Sequence, residues 1–384
     1  MARYARNALS ILSAALLVAC GPGAPPMPPA GEPGDPAAAA PPPLIERERL
    51  FGNPERAGGA ISPDGRWLGY IAPRDGVLNV YVAPSDEPGA ARPVTNDRLR
   101  GIRNFRFAYT GNHVLYGQDV GGDENFQVFA VDLTTGEERA LTPAGSRAGI
   151  AALSSTHPGE VVVNVNDRDP TYFDLLRVKL ETGEQTRLIE NTQFGAVYVD
   201  DDFELRYAVR QTDDGGDEYF ERAGEEWRSW TTVPQEDTLT TQFAGLTHDG
   251  STLYLLDSRG RNTAGLFAID TLSGERALLH EDTRADVDDA LAHPATGVVQ
   301  AAAANYLRDE WTAIDPAIAA DLERLRELAA GGEFRVTSRT QADDRWVVAI
   351  ADSTAPARFY LYDRATGSAE LWFETRPALA GLAA

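Results

Sequence analysis

Histidine, the residue most often used for catalysis or metal binding, is rare in this sequence. The five histidines are His113, His157, His248, His280 and His293. Three of them, His157, His248 and His293, occupy the same position in similar turn phrases along the chain. Equivalent positions in separate repeats do not converge on one site, and no H-E-x-x-H pattern is present. We therefore interpret these histidines as turn residues rather than as metal ligands or bases.

Three acidic runs are the other candidates for an ion site. They lie at 200–202, 213–214 and 286–289. Several carboxylate oxygens close together suit calcium, but no EF-hand spacing follows any of the runs. The sequence therefore favours solvated turns, and we predict no metal and no cofactor.

The composition narrows the classes of partner. The 384 residues include 58 acidic and 35 basic side chains, which gives a formal net charge of −23. A chain this acidic repels nucleic-acid phosphates, so no nucleic-acid partner is predicted. The single cysteine, Cys20, excludes an intramolecular disulfide and a cysteine-rich metal site.

The N-terminal residues are typical of a secreted bacterial lipoprotein. Arg3 and Arg6 precede an apolar run at 8–18, which is too short to span a bilayer stably. The next residues, LVACG at 17–21, resemble the lipobox at which a signal peptidase cuts before an acylated cysteine. An ordinary secretory signal with an incidental cysteine is the alternative.

These features predict a signal peptide over 1–19 and a lipid attached to Cys20. Residues 20–46, rich in Pro, Ala and Gly, cannot bury a core and are expected to form an extended tether. The prediction is a protein on the periplasmic side of a bacterial membrane, which contacts that membrane through its N-terminal lipid only.

The elements that must position any functional site are repeated along the chain. An apolar strand, a turn of the form Asp-x-x-Thr/Ser-Gly and a second strand recur together. The turn glycines are Gly136, Gly183, Gly274 and Gly367, with a looser copy at Gly89. Neighbouring copies are about 46 residues apart, or twice that where one copy is degenerate. This spacing predicts seven units.

A second series of turns runs in step with the first. Its members are Gly65, Gly111, Gly159, Gly250 and Gly297, with Asp201–Asp202 and Asp343–Asp344 where the fourth and seventh copies are expected. Short apolar segments rich in β-branched and aromatic residues lie between the turns and predict strands. Four short strands per unit are typical of a propeller blade. We therefore predict an all-β fold, a seven-bladed β-propeller of four-stranded antiparallel blades over residues 47–378.

One helical insertion is predicted near residues 315–330. Asp315 suits the N-cap, Pro316 the first helical position and Gly331 the C-terminal end. Four apolar residues lie near one face, namely Ile318, Leu322, Leu325 and Leu328. We expect this face to pack against the side or rim of the propeller.

The residue sequences of the repeats resemble those of the propeller domains of prolyl oligopeptidase-family serine peptidases, especially acylaminoacyl- and dipeptidyl-peptidases. The resemblance is carried by ISPDG at 61–65, GGDENFQVF at 121–129, NDRDP at 166–170, AVRQT at 208–212 and LDSRGR at 256–261. It extends from about Leu50 to Leu382. Single phrases such as Ser-Pro-Asp-Gly also occur in TolB-type propellers, whereas the ordered set is more specific to this family.

The resemblance implies a following α/β-hydrolase domain with a Ser, Asp and His triad and a G-x-S-x-G elbow. No G-x-S-x-G occurs in the 384 residues. We therefore expect residues 379–384 to begin a linker to an absent hydrolase domain. No catalytic residue can be assigned, and the chain alone is expected to be inactive.

Two carboxylates are the candidate substrate-binding residues. Relatives that remove dipeptides hold the substrate amino terminus with acidic propeller residues, and Asp123 and Glu124 could do so by charge-assisted hydrogen bonds. A turn that joins two strands explains the same phrase equally well. We expect a non-catalytic domain that limits substrate size and acts on peptides only together with its hydrolase domain. A stand-alone, TolB-like periplasmic binding or scaffold lipoprotein is the alternative.

Overall fold

The computed structural model of the protein describes residues 44–379 and residue 382. The predicted signal peptide 1–19, Cys20, nearly all of the tether 20–46 and most of the proposed linker 379–384 lie outside the described residues. From Glu46 onward the chain forms one compact unit. Within the described part of the chain, no helix is both long and apolar enough to cross a membrane.

Antiparallel sheets of consecutive strands make up this unit, as the turn spacing predicts. The strands of the first three blades are β1 (Ala57–Ile61), β2 (Trp67–Arg74), β3 (Val77–Pro84), β4 (Arg92–Pro93), β5 (Phe105–Phe107), β6 (His113–Gln118), β7 (Gln127–Asp132), β8 (Glu138–Ala140), β9 (Ala148–Ala152), β10 (Glu160–Val165), β11 (Asp174–Lys179) and β12 (Gln185–Ile189). A short helix, α1 (Arg47–Phe51), precedes them.

Four further blades complete the ring of seven and confirm the predicted fold. Their strands are β13 (Ala196–Val199), β14 (Leu205–Gln211), β15 (Asp217–Ala223), β16 (Glu226–Val233), β17 (Gln242–Leu246), β18 (Thr252–Asp257), β19 (Gly265–Asp270), β20 (Arg276–His280), β21 (Val287–Ala292), β22 (Val299–Asn305), β23 (Asp309–Ala313), β24 (Glu333–Arg339), β25 (Arg345–Asp352), β26 (Ala355–Asp363) and β27 (Ser368–Glu374). The 3-10 helices are Pro88–Ala90, Gln235–Asp237, Pro316–Ile318 and Pro377–Leu379.

The sixth blade departs from the predicted four strands. It contains only β21, β22 and β23, and the chain then forms the helix α2 (Ala319–Ala329) before β24 begins. The predicted helical segment is therefore present, but it stands at the chain position of a fourth strand. The Asp315 carboxylate accepts a hydrogen bond from the Ala317 N–H, so Asp315 does cap the segment.

The apolar face of α2 packs into the core shared by the sixth and seventh blades. Ile318, Leu322 and Leu325 are at most 2% exposed, and they lie in one cluster with Trp311 and Trp346. Burying three such side chains stabilises the fold by about 5–8 kcal/mol before entropy is counted. The 3.6-residue apolar period of the segment fits a helix and not a pleated edge strand, so the segment itself is helical.

Two blades meet face to face elsewhere in the same way. Leu115 and Val128 of the second blade form one buried cluster with Val161, Val163 and Leu176 of the third blade.

The ring closes between the first and last blades without any exchange of strands among the described residues. The Ile61 N–H donates to Ser338 Oγ at 2.7 Å, and Thr337 Oγ1 donates to the Gly59 carbonyl at 2.9 Å.

The predicted turns form in most blades, and their hydrogen bonds repeat. The amides of Gly136, Gly183 and Gly274 each donate to the carbonyl four residues earlier. Each of these glycines has a φ of 74–75°, a conformation that glycine adopts at little cost. Gly89 differs, because it lies in the 3-10 helix Pro88–Ala90 and its φ is not positive.

In the second turn series, two blades have a residue other than glycine at the turn position with positive φ. Phe203 has a φ of 64° in the fourth blade and Asp343 has a φ of 56° in the seventh. Both side chains are buried, at 2% exposure each. Tertiary contacts therefore hold a backbone conformation that an L-residue rarely adopts by itself.

Candidate functional site

The two faces of the propeller differ in which connections they carry. Because successive strands are antiparallel, the links from first to second and from third to fourth strands share one face, here called the turn face. It comprises 62–66, 85–91, 108–112, 133–137, 153–159, 180–184, 200–204, 224–225, 247–251, 271–275, 293–298, 340–344 and 364–367. The remaining links form the opposite face, here called the loop face. It comprises 75–76, 94–104, 119–126, 141–147, 166–173, 190–195, 212–216, 234–241, 258–264, 281–286, 306–308 and 353–354.

The first strand of each blade faces the centre of the ring. Residues of β1, β5, β9 and β24, which belong to four different blades, line one open cavity of about 660 Å³. A cavity bordered by the same strand of separate blades is the central channel of a propeller. Ala151 on β9 is exposed to this channel.

The inner strands carry charges of both signs towards the loop face. Arg106 lies on β5, Asp288 on β21 and Arg335 on β24, and all three side chains are exposed. Burial raises the pKa of Asp288, and the neighbouring carboxylates of Asp309 and Asp289 raise it further. The inner strands therefore present charges of both signs, and the raised pKa makes Asp288 harder to ionise than an isolated carboxyl.

The exposed apolar side chains of the connections are concentrated on the loop face. On this face they are Leu99, Val120, Phe126, Leu239, Tyr306 and Leu307. The turn face has only Leu272 and Val298 among the described residues with this degree of exposure. Among the described connections, exposed apolar side chains are therefore more numerous on the loop face than on the turn face.

Both segments that flank the propeller strands also lie on the loop face. Asn53 Nδ2 donates to the Gly76 carbonyl in the first blade, at 2.9 Å. The Glu55 N–H donates to the Thr375 carbonyl at 2.9 Å, and Arg376 Nη1 donates to the Gly52 carbonyl at 2.5 Å. The segment before β1 and the segment after β27 are therefore held side by side on this face.

Asp123 and Glu124 lie on the loop face, in the connection between β6 and β7. Both side chains are exposed, and Glu124 has a φ of 59°. Asp123 Oδ1 accepts hydrogen bonds from the Asn125 N–H at 3.0 Å and the Val120 N–H at 3.3 Å. The first of these is the main reason that the pKa of Asp123 is lowered. The pair is thus part of a strand-joining turn, with both carboxylates open to solvent.

The turn histidines stay apart. His157 lies 3.5 Å from the Asp202 carboxylate in the next blade, whereas His293 lies 4.0 Å from Asp343. The acidic run at 200–202 is used within its own turn, because Asp200 Oδ1 accepts from the N–H groups of Asp202 and Glu204. Among residues 44–379, no group of three His, Asp or Glu side chains is placed to hold a metal ion.

A side cavity of the channel, of about 400 Å³, was not foreseen from the sequence. It lies between the second and third blades, and Phe105 and Arg106 border both this cavity and the channel. Phe126, three residues after Asp123, also lines it. The residues that meet here come from four strands and three loops, so no local motif could have indicated the cavity.

Comparison with known proteins places this architecture in a peptidase family. The chain is 49% identical over 341 residues to dipeptidyl aminopeptidase BIII of Pseudoxanthomonas mexicana; the match covers 88% of this chain and 49% of that protein. It is 24% identical over 354 residues to dipeptidyl peptidase family member 6 of Caenorhabditis elegans, with 88% and 48% covered. The chain is a propeller domain of the prolyl oligopeptidase family.

The chain spans about half the length of the curated relatives that it matches. Solved structures show the same fold. A prolyl endopeptidase superimposes with a TM-score of 0.60 at 14% identity, over 85% of this chain and 50% of that chain. A puromycin-hydrolysing peptidase of Mycobacterium tuberculosis gives 0.54 at 15% identity, over 86% and 55%. No protein-family model matches the sequence.

Proposed function

We propose that this propeller covers the active site of an α/β-hydrolase domain and admits only peptides to it. The observation that carries the proposal is the loop face. Six exposed apolar side chains and both flanking segments of the propeller lie on this one face. A second domain seated there would bury the apolar side chains and be joined through the neighbouring flanking segments.

The channel supports a gating role because it lies at the centre of the ring of blades. Its walls are the inner strands of several blades, so its width is limited by a rigid ring. An extended peptide fits such an opening, whereas a folded protein does not. The domain would therefore select substrates by size and leave the chemistry to the hydrolase domain.

The first test uses the chain alone. We expect no hydrolysis of dipeptidyl anilides or esters and no labelling by a fluorophosphonate, because no residue is placed as a serine nucleophile with its base within the described structure. Labelling of one serine per chain would overturn this expectation.

The second test measures gating in a chimera that joins residues 44–379 to the second half of the Pseudoxanthomonas mexicana relative. Ala151→Trp narrows the channel, and Leu278→Trp places the same side chain on the exposed outer strand β20. We expect Ala151→Trp to reduce kcat/KM for a decapeptide at least tenfold more than for a dipeptidyl anilide, and Leu278→Trp to change neither. Equal effects of the two variants would contradict gating and favour the scaffold alternative.

A lipid anchor at Cys20 remains part of the proposal, together with a location on the periplasmic side of a membrane. Its support is the signal sequence and lipobox-like segment. Cells that express the full chain should incorporate radiolabelled palmitate into the protein, and Cys20→Ala should remove the label. Labelling that persists in Cys20→Ala would show that the lipid is attached elsewhere.

A further inference from the structure

The side cavity between the second and third blades contains two arginines that have no carboxylate partner. Arg106 comes from the inner strand β5, and Arg147 directly precedes the inner strand β9. Within residues 44–379, neither guanidinium forms an ion pair or a hydrogen bond. In the same blades, by contrast, Arg168 and Arg187 both pair with the buried carboxylate of Asp174.

No acidic side chain lines this cavity. Apart from Arg106 and Arg147, its lining residues are uncharged. The chain as a whole has 58 acidic residues and a net charge of −23. Two unpaired guanidinium groups therefore form a local positive site in a negative protein, and this site would attract an anion.

The shape of the cavity admits a group of the size of one amino-acid side chain. Gly117 contributes no side chain, and a Cβ built on it would have no neighbour closer than 3.9 Å, from Asn104 Oδ1. The space in front of Gly117 is therefore open, whereas Phe126 and Ile150 supply apolar walls. A volume of about 400 Å³ matches a small ligand site.

Both arginines are carried by backbone that is already held in place. On β5, Phe107 is buried and packs edge-to-face against Phe105 at 5.7 Å. The Arg147 N–H donates to Asn166 Oδ1 at 2.7 Å, and the Asn166 N–H donates to the Arg147 carbonyl at 3.1 Å. A site whose backbone is fixed before binding loses less entropy when the ligand binds.

We propose that this cavity is a subsite for a peptide carboxylate, held by Arg106 and Arg147. Guanidinium groups bind carboxylates through paired hydrogen bonds. The apolar walls would contact the carbon chain that carries the carboxylate. The carboxylate could belong to an acidic side chain or to the peptide C-terminus. The inference rests on the proposed peptide-gating function, because only that function brings peptides to the channel.

Binding to the chain itself tests the subsite by calorimetry with three tetrapeptides. They are Ala-Ala-Glu-Ala amide, Ala-Ala-Gln-Ala amide and Ala-Ala-Gln-Ala with a free carboxyl. We expect at least one carboxylate peptide to bind tenfold or more tightly than the Gln amide. The peptide that binds more tightly shows whether the carboxylate belongs to an acidic side chain or to the C-terminus. Equal affinity for all three peptides, or no binding of any, would overturn the proposal.

Substitutions distinguish binding at this subsite from a general attraction between the peptide and the charged surface. Arg106→Ala and Arg147→Ala should each reduce the affinity for the carboxylate peptide about tenfold without changing the affinity for the Gln amide. Arg98→Ala is the matched control, since Arg98 is exposed on the same loop face but does not line the cavity. Gly117→Leu, which fills the cavity without changing charge, should abolish the preference. An effect of Arg98→Ala equal to that of Arg106→Ala would contradict the subsite.

This outcome is independent of the gating test. A chimera that fails to discriminate by peptide length would contradict gating but leave the binding data intact. A chain that discriminates by length but shows no carboxylate preference would contradict only the subsite.

Discussion

The turn face and the loop face of this propeller are built by different rules. On the turn face, the same connection recurs from blade to blade: the glycine amides of three blades bond to the carbonyl four residues earlier, with φ between 74° and 75°. On the loop face, the connections range from the two-residue turn 75–76 to the eleven residues 94–104. The repeats that reveal the fold therefore belong to one face only.

The loop face carries the surface features that the repeated turns do not account for. The exposed apolar side chains, the turn with Asp123 and Glu124, and the arginine Arg147 all lie there. A rigid frame with regular turns on one side leaves the loops on the other side free to vary without loss of the fold. Substitutions on the turn face should therefore change stability most, and substitutions on the loop face should change ligand binding most.

The largest expected effect is on the turn face, at Asp343. Its carboxylate accepts from Trp346 Nε1 at 2.8 Å and pairs with Arg339 at 3.0 Å and Arg364 at 2.6 Å. Asp343→Ala leaves these guanidinium groups without their shared partner, and the free energy of unfolding should fall by about 3–5 kcal/mol. Urea unfolding measures the change.

The neighbouring residue is the control for that substitution. Asp344 is exposed, so Asp344→Ala should lower stability far less than Asp343→Ala. Similar losses for the two variants would show that the buried network does not stabilise the last blade.

Alanine substitutions at two glycines of the turn face distinguish the cost of backbone strain from the cost of steric crowding. Gly297 and Gly274 have similar φ values, 72° and 74°. A Cβ on Gly297 would lie 2.8 Å from the Leu246 carbonyl oxygen, whereas one on Gly274 meets nothing within 4 Å. We expect Gly274→Ala to cost about 1 kcal/mol and Gly297→Ala about 2–3 kcal/mol, measured by thermal unfolding. Equal costs would mean that the neighbouring backbone moves freely.

Asp257 is the last residue of β18 and binds Arg259 of the following loop-face connection, so its substitution shows whether that connection contributes to stability. Burial acts to raise the pKa of this fully buried carboxyl, but hydrogen bonds from Arg259 and Arg276 outweigh it and lower the pKa from 3.8 to about 2. A carboxylate with a lowered folded pKa stabilises the protein above pH 4, and this contribution, about 2 kcal/mol, is lost as the pH falls towards 2.

Comparison of the wild-type chain with Asp257→Asn isolates this contribution. The difference in unfolding free energy should be full at pH 6 and should shrink as the pH falls from 4 to 2. A difference that does not change with pH would mean that the carboxylate charge is not what stabilises this loop.

The smallest expected effect on stability is at the candidate amine site. Asp123→Asn combined with Glu124→Gln should leave the unfolding midpoint unchanged, because both side chains are exposed. In the hydrolase chimera, the same variant should raise the KM of free-amine peptides relative to N-acetylated ones. An unchanged ratio of the two KM values would remove these residues from substrate binding.

Much of the fold could be predicted because its signals are local. The phrase around Gly136 predicts a turn by itself, since the Asp132 carboxylate accepts from the Thr134 N–H two residues later, at 2.7 Å. The helical period of Leu322 and Leu325 likewise predicted α2 correctly. It did not predict that α2 takes the place of a strand, because that choice depends on Trp311 and Trp346 in two different blades.

The blade number follows from the sequence alone through the spacing of its repeated turns, and most of the turns follow because each is encoded within a few consecutive residues. The tertiary structure alone decided that Phe203 and Asp343 adopt positive φ, since buried contacts hold them there. It also decided that Arg106 and Arg147, about one blade apart in the chain, share a cavity without an acid. The proximity of these two arginines depends on how two sheets pack, so no local pattern of residues predicts it.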